Sequence, residues 1–334
     1  MDGCDLMNIL LSCDDNYAPL TGVLMQSLLM NNEKYFNNFS IFILDGGISE
    51  KNKEKLKTIV NSFKIPLNLE FIDYGDVEDI LNIKIKATRH LSAYARLFAE
   101  SLLPKNMDKI LYLDVDAIVV DSLEEVYNMD ITDYYMAAVE DMGPEYINNF
   151  LNLPPNTVHY NTGFLLINLK KWREDNLEKK FIDCIVEHDG QVYHNDQGVI
   201  NIVCRDKILK LDLKYNIHSP FFEVGYDNIL KFYGVSQYYT KEIGENAIKH
   251  PVFIHFVQFV YGRPWFTNAK NHPLRELFDF YVNQTPFADE IYTKDNRGFA
   301  GKFLSVSYKI FPFSVVCWMF NMYRNLLVKR NFGG

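Results

Sequence analysis

The chain reads as an α/β protein with a mixed, mostly parallel sheet flanked by helices and a helical appendage at its C-terminal end. Apolar runs of strand length alternate with longer stretches that carry their apolar residues on one helical face, the pattern of successive βα units. Acidic or polar clusters follow several of those runs, at the strand ends where open α/β sheets bind ligands. Length and composition agree: 334 residues, 48% hydrophobic and 15% aromatic, suffice for one large core plus an appendage, because single cores stop growing near about 250–300 residues.

The elements follow in order. Residues 8–13 form an apolar run that ends in Asp14-Asp15-Asn16-Tyr17, and Tyr17 to Asn31 has helical composition with Pro19 in its first turn. Residues 39–44 form a second strand closed by Asp45-Gly46-Gly47, after which Ser49 can cap a helix bearing Leu56, Ile59, Val60 and Phe63 on one face. Residues 67–72 alternate like a strand, residues 91–103 suit a helix, and residues 109–113 are an apolar run that stops at Asp114. Further on, 136–139 and 163–167 predict strands. A helix is expected over 172–188 with Leu177, Phe181 and Ile185 inward, and a late strand over 252–256. The pattern loosens after Asn283-Gln284-Thr285-Pro286, which divides the chain into a short tail over 1–7, a main domain over 8–285 and an aromatic and basic appendage over 286–334.

Charge and cysteine usage bound the function. A net charge of −9 argues against nucleic acid as a partner, because phosphate backbones need a basic face. Cys4, Cys13, Cys184, Cys204 and Cys317 are odd in number and widely scattered, so they suggest neither a disulfide framework nor a zinc site, and a reducing cytoplasm fits. The first residues lack the cationic and apolar blocks of a secretion signal. Residues 310–320 are strongly apolar but cover about half of the ~20 residues that a spanning helix needs. With Lys309, Arg324, Lys329 and Arg330 nearby, the region 305–330 suits an interfacial anchor on the inner face of the cell membrane; packing against the domain or a partner is the competing reading.

In Asp114-Val115-Asp116 two carboxylates at i and i+2 point to the same side while the chain stays extended. Two unpaired buried anions are costly, and a divalent cation bridging them to phosphate oxygens removes the cost. Alone, the triplet equally suits a solvated strand end. It also matches the opening of haloacid dehalogenase-like phosphatases, although Ile118 stands where those proteins commonly carry Thr or Val.

The wider order of motifs narrows the choice. Ser12-Cys-Asp-Asp-Asn-Tyr17, Tyr94-Ala-Arg96, Asp114-Val-Asp116, Tyr160-Asn-Thr-Gly163, Ile167-Asn-Leu-Lys-Lys-Trp172 and Asn195-Asp-Gln197 occur in sequence. Over roughly residues 8–265 the chain resembles glycosyltransferase family 8, which includes bacterial lipopolysaccharide galactosyl- and glucosyltransferases and glycogenin. That resemblance implies a GT-A fold and retaining transfer of a hexose from UDP-glucose or UDP-galactose to a saccharide or glycolipid, dependent on Mn²⁺ or Mg²⁺. A catalytically silent sugar-nucleotide-binding protein is the alternative from another class.

The same resemblance implies the site. Ser12, Asp14, Asn16 and Tyr17 belong to the nucleotide pocket, with a carboxylate for the uracil N–H and a ring for stacking. Asp114, Val115 and Asp116 contact the donor, Asp114 and Asp116 with His255 hold the metal, and Arg96 meets the diphosphate or a carboxylate on the sugar side. Asn161 and Thr162 bind the sugar, while Asp196 and Gln197 lie nearest the anomeric carbon. By its residue type, Asp196 also suits an N-cap for the helix over 199–203. In His255-Phe-Val-Gln-Phe-Val-Tyr-Gly-Arg-Pro-Trp265, Gly262 and Arg263 stand near the family's phosphate-binding Gly and Lys, but the interval from His255 is two residues longer and Arg replaces Lys. His90 falls in an acceptor-facing region of the family, and a structural role suits it better.

Overall fold

The structure is a computed structural model that describes residues 6–75, 94–143 and 146–332; His90 lies outside these. Ten strands are present among the described residues: β1 (Leu6–Cys13), β2 (Asn38–Asp45), β3 (Leu67–Ile72), β4 (Lys109–Leu113), β5 (Ala117–Val119), β6 (Met136–Glu140), β7 (Tyr160–Asn168), β8 (Ile208–Lys210), β9 (Ile217–His218) and β10 (Phe253–His255). Seven form the main sheet, in the order β3-β2-β1-β4-β7-β6-β8, and β5-β10-β9 form a smaller one. Only β7 breaks the parallel pattern of the main sheet, running antiparallel to β4 and β6. The mixed, mostly parallel α/β architecture expected from the alternation is therefore the one observed.

Local sequence explains the main elements. Ile9, Leu10 and Leu11 are fully buried, so β1 is apolar on both faces, as strands covered on two sides are. The helix Ala18–Asn32 starts with proline in its first turn and is buried on most sides. Its polar residues tie it to the smaller sheet: the Val119 N–H donates to Ser27 Oγ at 3.1 Å, and Asn31 Nδ2 donates to the Val119 carbonyl at 3.0 Å. Ser49 caps the helix Glu50–Asn61 by accepting from the Asn52 N–H, and Leu56, Ile59 and Val60 face inward.

Three expectations change. The stretch 172–188 is two helices, Leu169–Glu174 and Leu177–Glu187, because Asn176 adopts a left-handed φ of 51° that asparagine tolerates. From Tyr94 onward, the expected helix narrows to a 3₁₀ turn, Ala95–Phe98, whose four residues are all buried, followed by the short helix Ala99–Leu102. Asp196 does not cap its helix. His194, at φ 61°, holds the N-cap of Asn195–Cys204 and Asp196 sits buried in the first turn. Gly198 permits this close start, since a Cβ there would stand 2.0 Å from the Tyr193 carbonyl oxygen.

Beyond Pro286 the chain continues across the same core. Phe287 is fully buried against Gly22, where a Cβ would meet its ring at 2.7 Å, and Thr293 bridges to Phe266. Two helices follow, Phe299–Ile310 and Phe313–Phe332. Among the described residues no helix is long and apolar enough to cross a membrane.

Candidate active site

Sheet topology gathers the acidic motif and its partners. The Asp114 N–H donates to the Gly163 carbonyl at 2.8 Å, which extends the β4–β7 ladder one step and fixes the backbone where the carboxylates begin. The chain then enters β5, whose antiparallel pairing with β10 sets Ala117 opposite His255, and the Phe256 N–H donates to the Asp116 carbonyl at 2.9 Å. His255 thereby arrives beside both aspartates from 139 residues beyond Asp116. Gly163 leaves the room, since a Cβ there would come within 2.6 Å of the histidine ring. Val115, between the two aspartates, packs into the core.

Asp114, Asp116 and His255 each offer a ligand atom, and these lie within 4.8 Å of one another. His255 Nε2 is 3.1 Å from Asp116 Oδ1 and 3.9 Å from Asp114 Oδ2. On the far side of the ring, Nδ1 is 3.3 Å from Asn216 Oδ1, and Asn216 Nδ2 donates to Asn161 Oδ1 at 2.7 Å. With its Nδ2 directed to Asn161, Asn216 presents Oδ1 to the ring, a partner for a proton on Nδ1 that would leave the Nε2 lone pair for a metal. Burial alone would lower the His255 pKa, yet Asp116 and Asp114 raise it; burial would raise that of Asp116, yet His255 and Arg263 hold it well below the carboxylate range. Two carboxylates and an imidazole that draw a positive charge between them fit an oxygen-preferring divalent cation.

Arg96 joins the metal side to the helix Asn195–Cys204. Its Nη2 is 3.0 Å from Asp114 Oδ1, its Nη1 donates to the Thr162 carbonyl at 2.9 Å, and its Nε stands 3.2 Å from Asp196 Oδ2. The guanidinium lies 4.0 Å over the Tyr112 ring, whose hydroxyl donates to Asp114 Oδ1 at 2.8 Å. Burial raises the Asp196 pKa, with Arg96 opposing and Asp114 adding to the rise. Gln197 turns its Oε1 to the Thr162 N–H at 3.3 Å and donates from Nε2 to Asp141 Oδ2 at 2.8 Å.

Arg263 approaches from the loop after β10, with Nη1 3.0 Å from Asp116 Oδ2 and its guanidinium 5.0 Å over the Trp265 ring. That loop is held from behind. Arg297 Nη1 donates to the Phe259 carbonyl at 2.7 Å, Ser305 Oγ donates to the Val260 carbonyl, and Glu223 Oε2 accepts from the Tyr261 N–H at 2.9 Å. Gly262 has φ 84° and faces Phe266 and Arg297, where a Cβ would fall within 2.9 Å of the Phe266 ring.

A cleft of about 780 Å³ collects Arg96, Asp114, Asn161, Thr162, Asp196 and Gln197. Ser12, Asp14, Asn16 and Tyr17 do not line it. They occupy the carboxyl end of β1, where Asp14 Oδ1 accepts from the Tyr17 N–H at 3.0 Å and the Tyr17 ring is 40% exposed, open to a stacking partner. Asp141, Tyr193, His194 and His218 line the cleft and escaped the sequence reading. Asp141 directly follows β6 as Asp114 follows β4, a positional signal that was available. His218 carried none. It stands edge-on to His255 with ring centroids 5.4 Å apart, burial pushes its pKa down to about 4, and its Nε2 has no partner among the described residues.

Comparison with known proteins agrees with this geometry. A model described as glycosyl transferase family 8 matches residues 8–269. General stress protein A of Bacillus subtilis (strain 168) is 28% identical over 287 residues, spanning 84% of this chain and 94% of its own. A lipopolysaccharide 1,2-glucosyltransferase of Escherichia coli is 26% identical over 303 residues, 88% of this chain and 83% of its own. The crystal structure of galactosyltransferase LgtC with donor and acceptor sugar analogs matches with a TM-score of 0.67 at 23% identity, covering 85% of this chain and 98% of that one, which shows the shared GT-A fold. The phosphatase reading of the Asp114 triplet is thereby set aside.

Proposed function

This chain belongs to glycosyltransferase family 8 and is a hexosyltransferase, and from that premise we propose that it moves glucose or galactose from a UDP-sugar to a saccharide or glycolipid. The observation that carries the reading is the convergence of Asp114, Asp116 and His255 beside a cleft that also holds Arg96 and Asp196. We read residues 8–285 as the catalytic unit, with its first strand starting at Leu6 inside the expected tail over 1–7, and the region after 285 as an appendage whose described residues, up to 332, fold onto that unit.

Asp114, Asp116 and His255 hold Mn²⁺ or Mg²⁺ in this reading. When bound, such a cation supplies charge neutralisation for a diphosphate leaving group. The chain does the rest. Asp14 and Tyr17, with Ser12 and Asn16, receive the nucleotide; Arg263 and the Gly262 turn face the diphosphate. Asn161, Thr162 and Gln197 orient the hexose. The bond from the anomeric carbon to the diphosphate oxygen breaks, the acceptor oxygen bonds to the same face, and its proton passes to the departing diphosphate. Support for this front-face route over a covalent one is the position of Asp196: with Arg96 Nε 3.2 Å from its Oδ2, its charge is already engaged. Asp196 then stabilises positive charge on the sugar.

The test is UDP release from a panel of UDP-sugars with Mn²⁺. UDP-glucose or UDP-galactose is turned over, and Asp196→Asn retains measurable turnover. Tight UDP binding without turnover of any sugar, across an acceptor panel, would establish the silent alternative instead. Cys13, Cys184 and Cys204, buried as thiols and not joined in disulfides, support a cytoplasmic site of action. The exposed Phe299, Ile310 and Trp318 support contact with the membrane face there, which vesicle sedimentation reads directly.

A further inference from the structure

The cleft changes character along its length. One end holds Asp114, Asp196 and Arg96; the other is walled by Phe232, Tyr233, Val257, Ala300 and Phe320. Ala300 and Phe320 are also walls of a second pocket, of about 200 Å³, formed between the helices Phe299–Ile310 and Phe313–Phe332 and completed by Phe299, Phe303 and Met319. No side chain lining that second pocket is polar. The two spaces thus have two wall residues in common, and one holds charged groups while the other is lined by hydrocarbon alone.

We propose that the acceptor is an amphiphile: its glycan end enters the charged end of the cleft and its single acyl or prenyl chain lies in the pocket between the two C-terminal helices. This rests on the transferase reading above and deepens it by naming the acceptor class. Water gains nothing in an apolar pocket of this kind, whereas a hydrocarbon chain does. Aromatic contacts hold the walls: Phe320 lies 5.7 Å from Phe232 and 6.1 Å from Phe303, centroid to centroid.

The outer surface supports the same occupant. Phe299, Phe303, Val306 and Ile310, spaced i, i+4, i+7 and i+11, form an exposed stripe along the first helix, and the exposed Lys302 and Lys309 flank it. Apolar residues edged by lysines complement the anionic surface in which such amphiphiles reside.

Calorimetric titration of the full chain, with UDP and Mn²⁺ present, by butyl, octyl and decyl β-glucopyranosides below their micellar concentrations tests this. Each buried methylene multiplies affinity by up to about fourfold, so the decyl compound is expected to bind at least about tenfold more tightly than the butyl one. Phe303→Ser is expected to erase most of that advantage. Phe299→Ser, at a side chain 85% exposed and so without consequence for folding, is expected to reduce it. Equal affinity across chain lengths, no binding of the decyl compound, or an advantage undiminished in both variants would overturn the proposal. Because binding is read without turnover, failure of the transferase reading is seen separately, as an absence of UDP release.

Discussion

The two ends of the cleft are built on different principles. At the charged end each key charge is met more than once: Arg96 by Asp114, Asp196 and the Thr162 carbonyl, and Asp116 by His255 and Arg263. At the far end Phe232, Tyr233 and Phe320 meet through ring contacts, and large apolar side chains stay exposed. Directional bonds fix atoms to fractions of an ångström, as transfer chemistry requires. Apolar surface is tolerant of shape and suits a variable hydrocarbon or membrane partner.

That contrast predicts unequal sensitivity. The largest effect on stability is expected for Arg96→Gln, which leaves two carboxylates partly uncompensated around a buried position: about 3–5 kcal/mol by urea unfolding. A loss below about 1 kcal/mol would show that the charged end is less interlocked than its distances suggest. Arg297→Lys comes next. A single ammonium cannot reproduce both the paired contact to Asp295 and the bond to the Phe259 carbonyl, so the Arg263 loop loosens. The expected result is a donor KM raised about tenfold with a smaller change in kcat, the signature of weakened donor binding. An unchanged KM would mean that the loop is held by Glu223 and Ser305 alone. The smallest effect on stability belongs to Trp318→Ser, at a side chain 62% exposed: within about 0.5 kcal/mol, but with weaker sedimentation on anionic vesicles. Unaltered sedimentation would remove Trp318 from the membrane contact.

The same division explains what was legible in the sequence. β1 and β4 follow from continuous apolar runs, and Asp114 and Asp116 stand out because the strand before them ends sharply. The smaller sheet was only partly visible: β10 lies within the expected late strand, but β5 and β9 have three and two residues, too short to show a period, and exist through pairing with distant chain. The family resemblance pointed to His255, whose place beside Asp116 depends on that pairing. His218, on β9, had no local mark at all. The break at Asn176 is the familiar case of a residue that tolerates a left-handed turn inside an otherwise helical pattern. In the C-terminal region, aromatic composition suggested an interface; that Ala300 and Phe320 line the same cleft as Asp114 and Asp196 is a tertiary fact.

We propose that the Asp114, Asp116 and His255 cluster makes this a metal-dependent UDP-sugar transferase. It is tested most directly by UDP release from UDP-glucose and UDP-galactose over a Mn²⁺ titration, in the wild type and in Asp116→Asn. Saturable, Mn²⁺-dependent release by the wild type is expected, with at least about a hundredfold loss in the variant that added Mn²⁺ does not restore. Wild-type release that is indifferent to chelation, or an Asp116→Asn variant that keeps wild-type turnover, would contradict it.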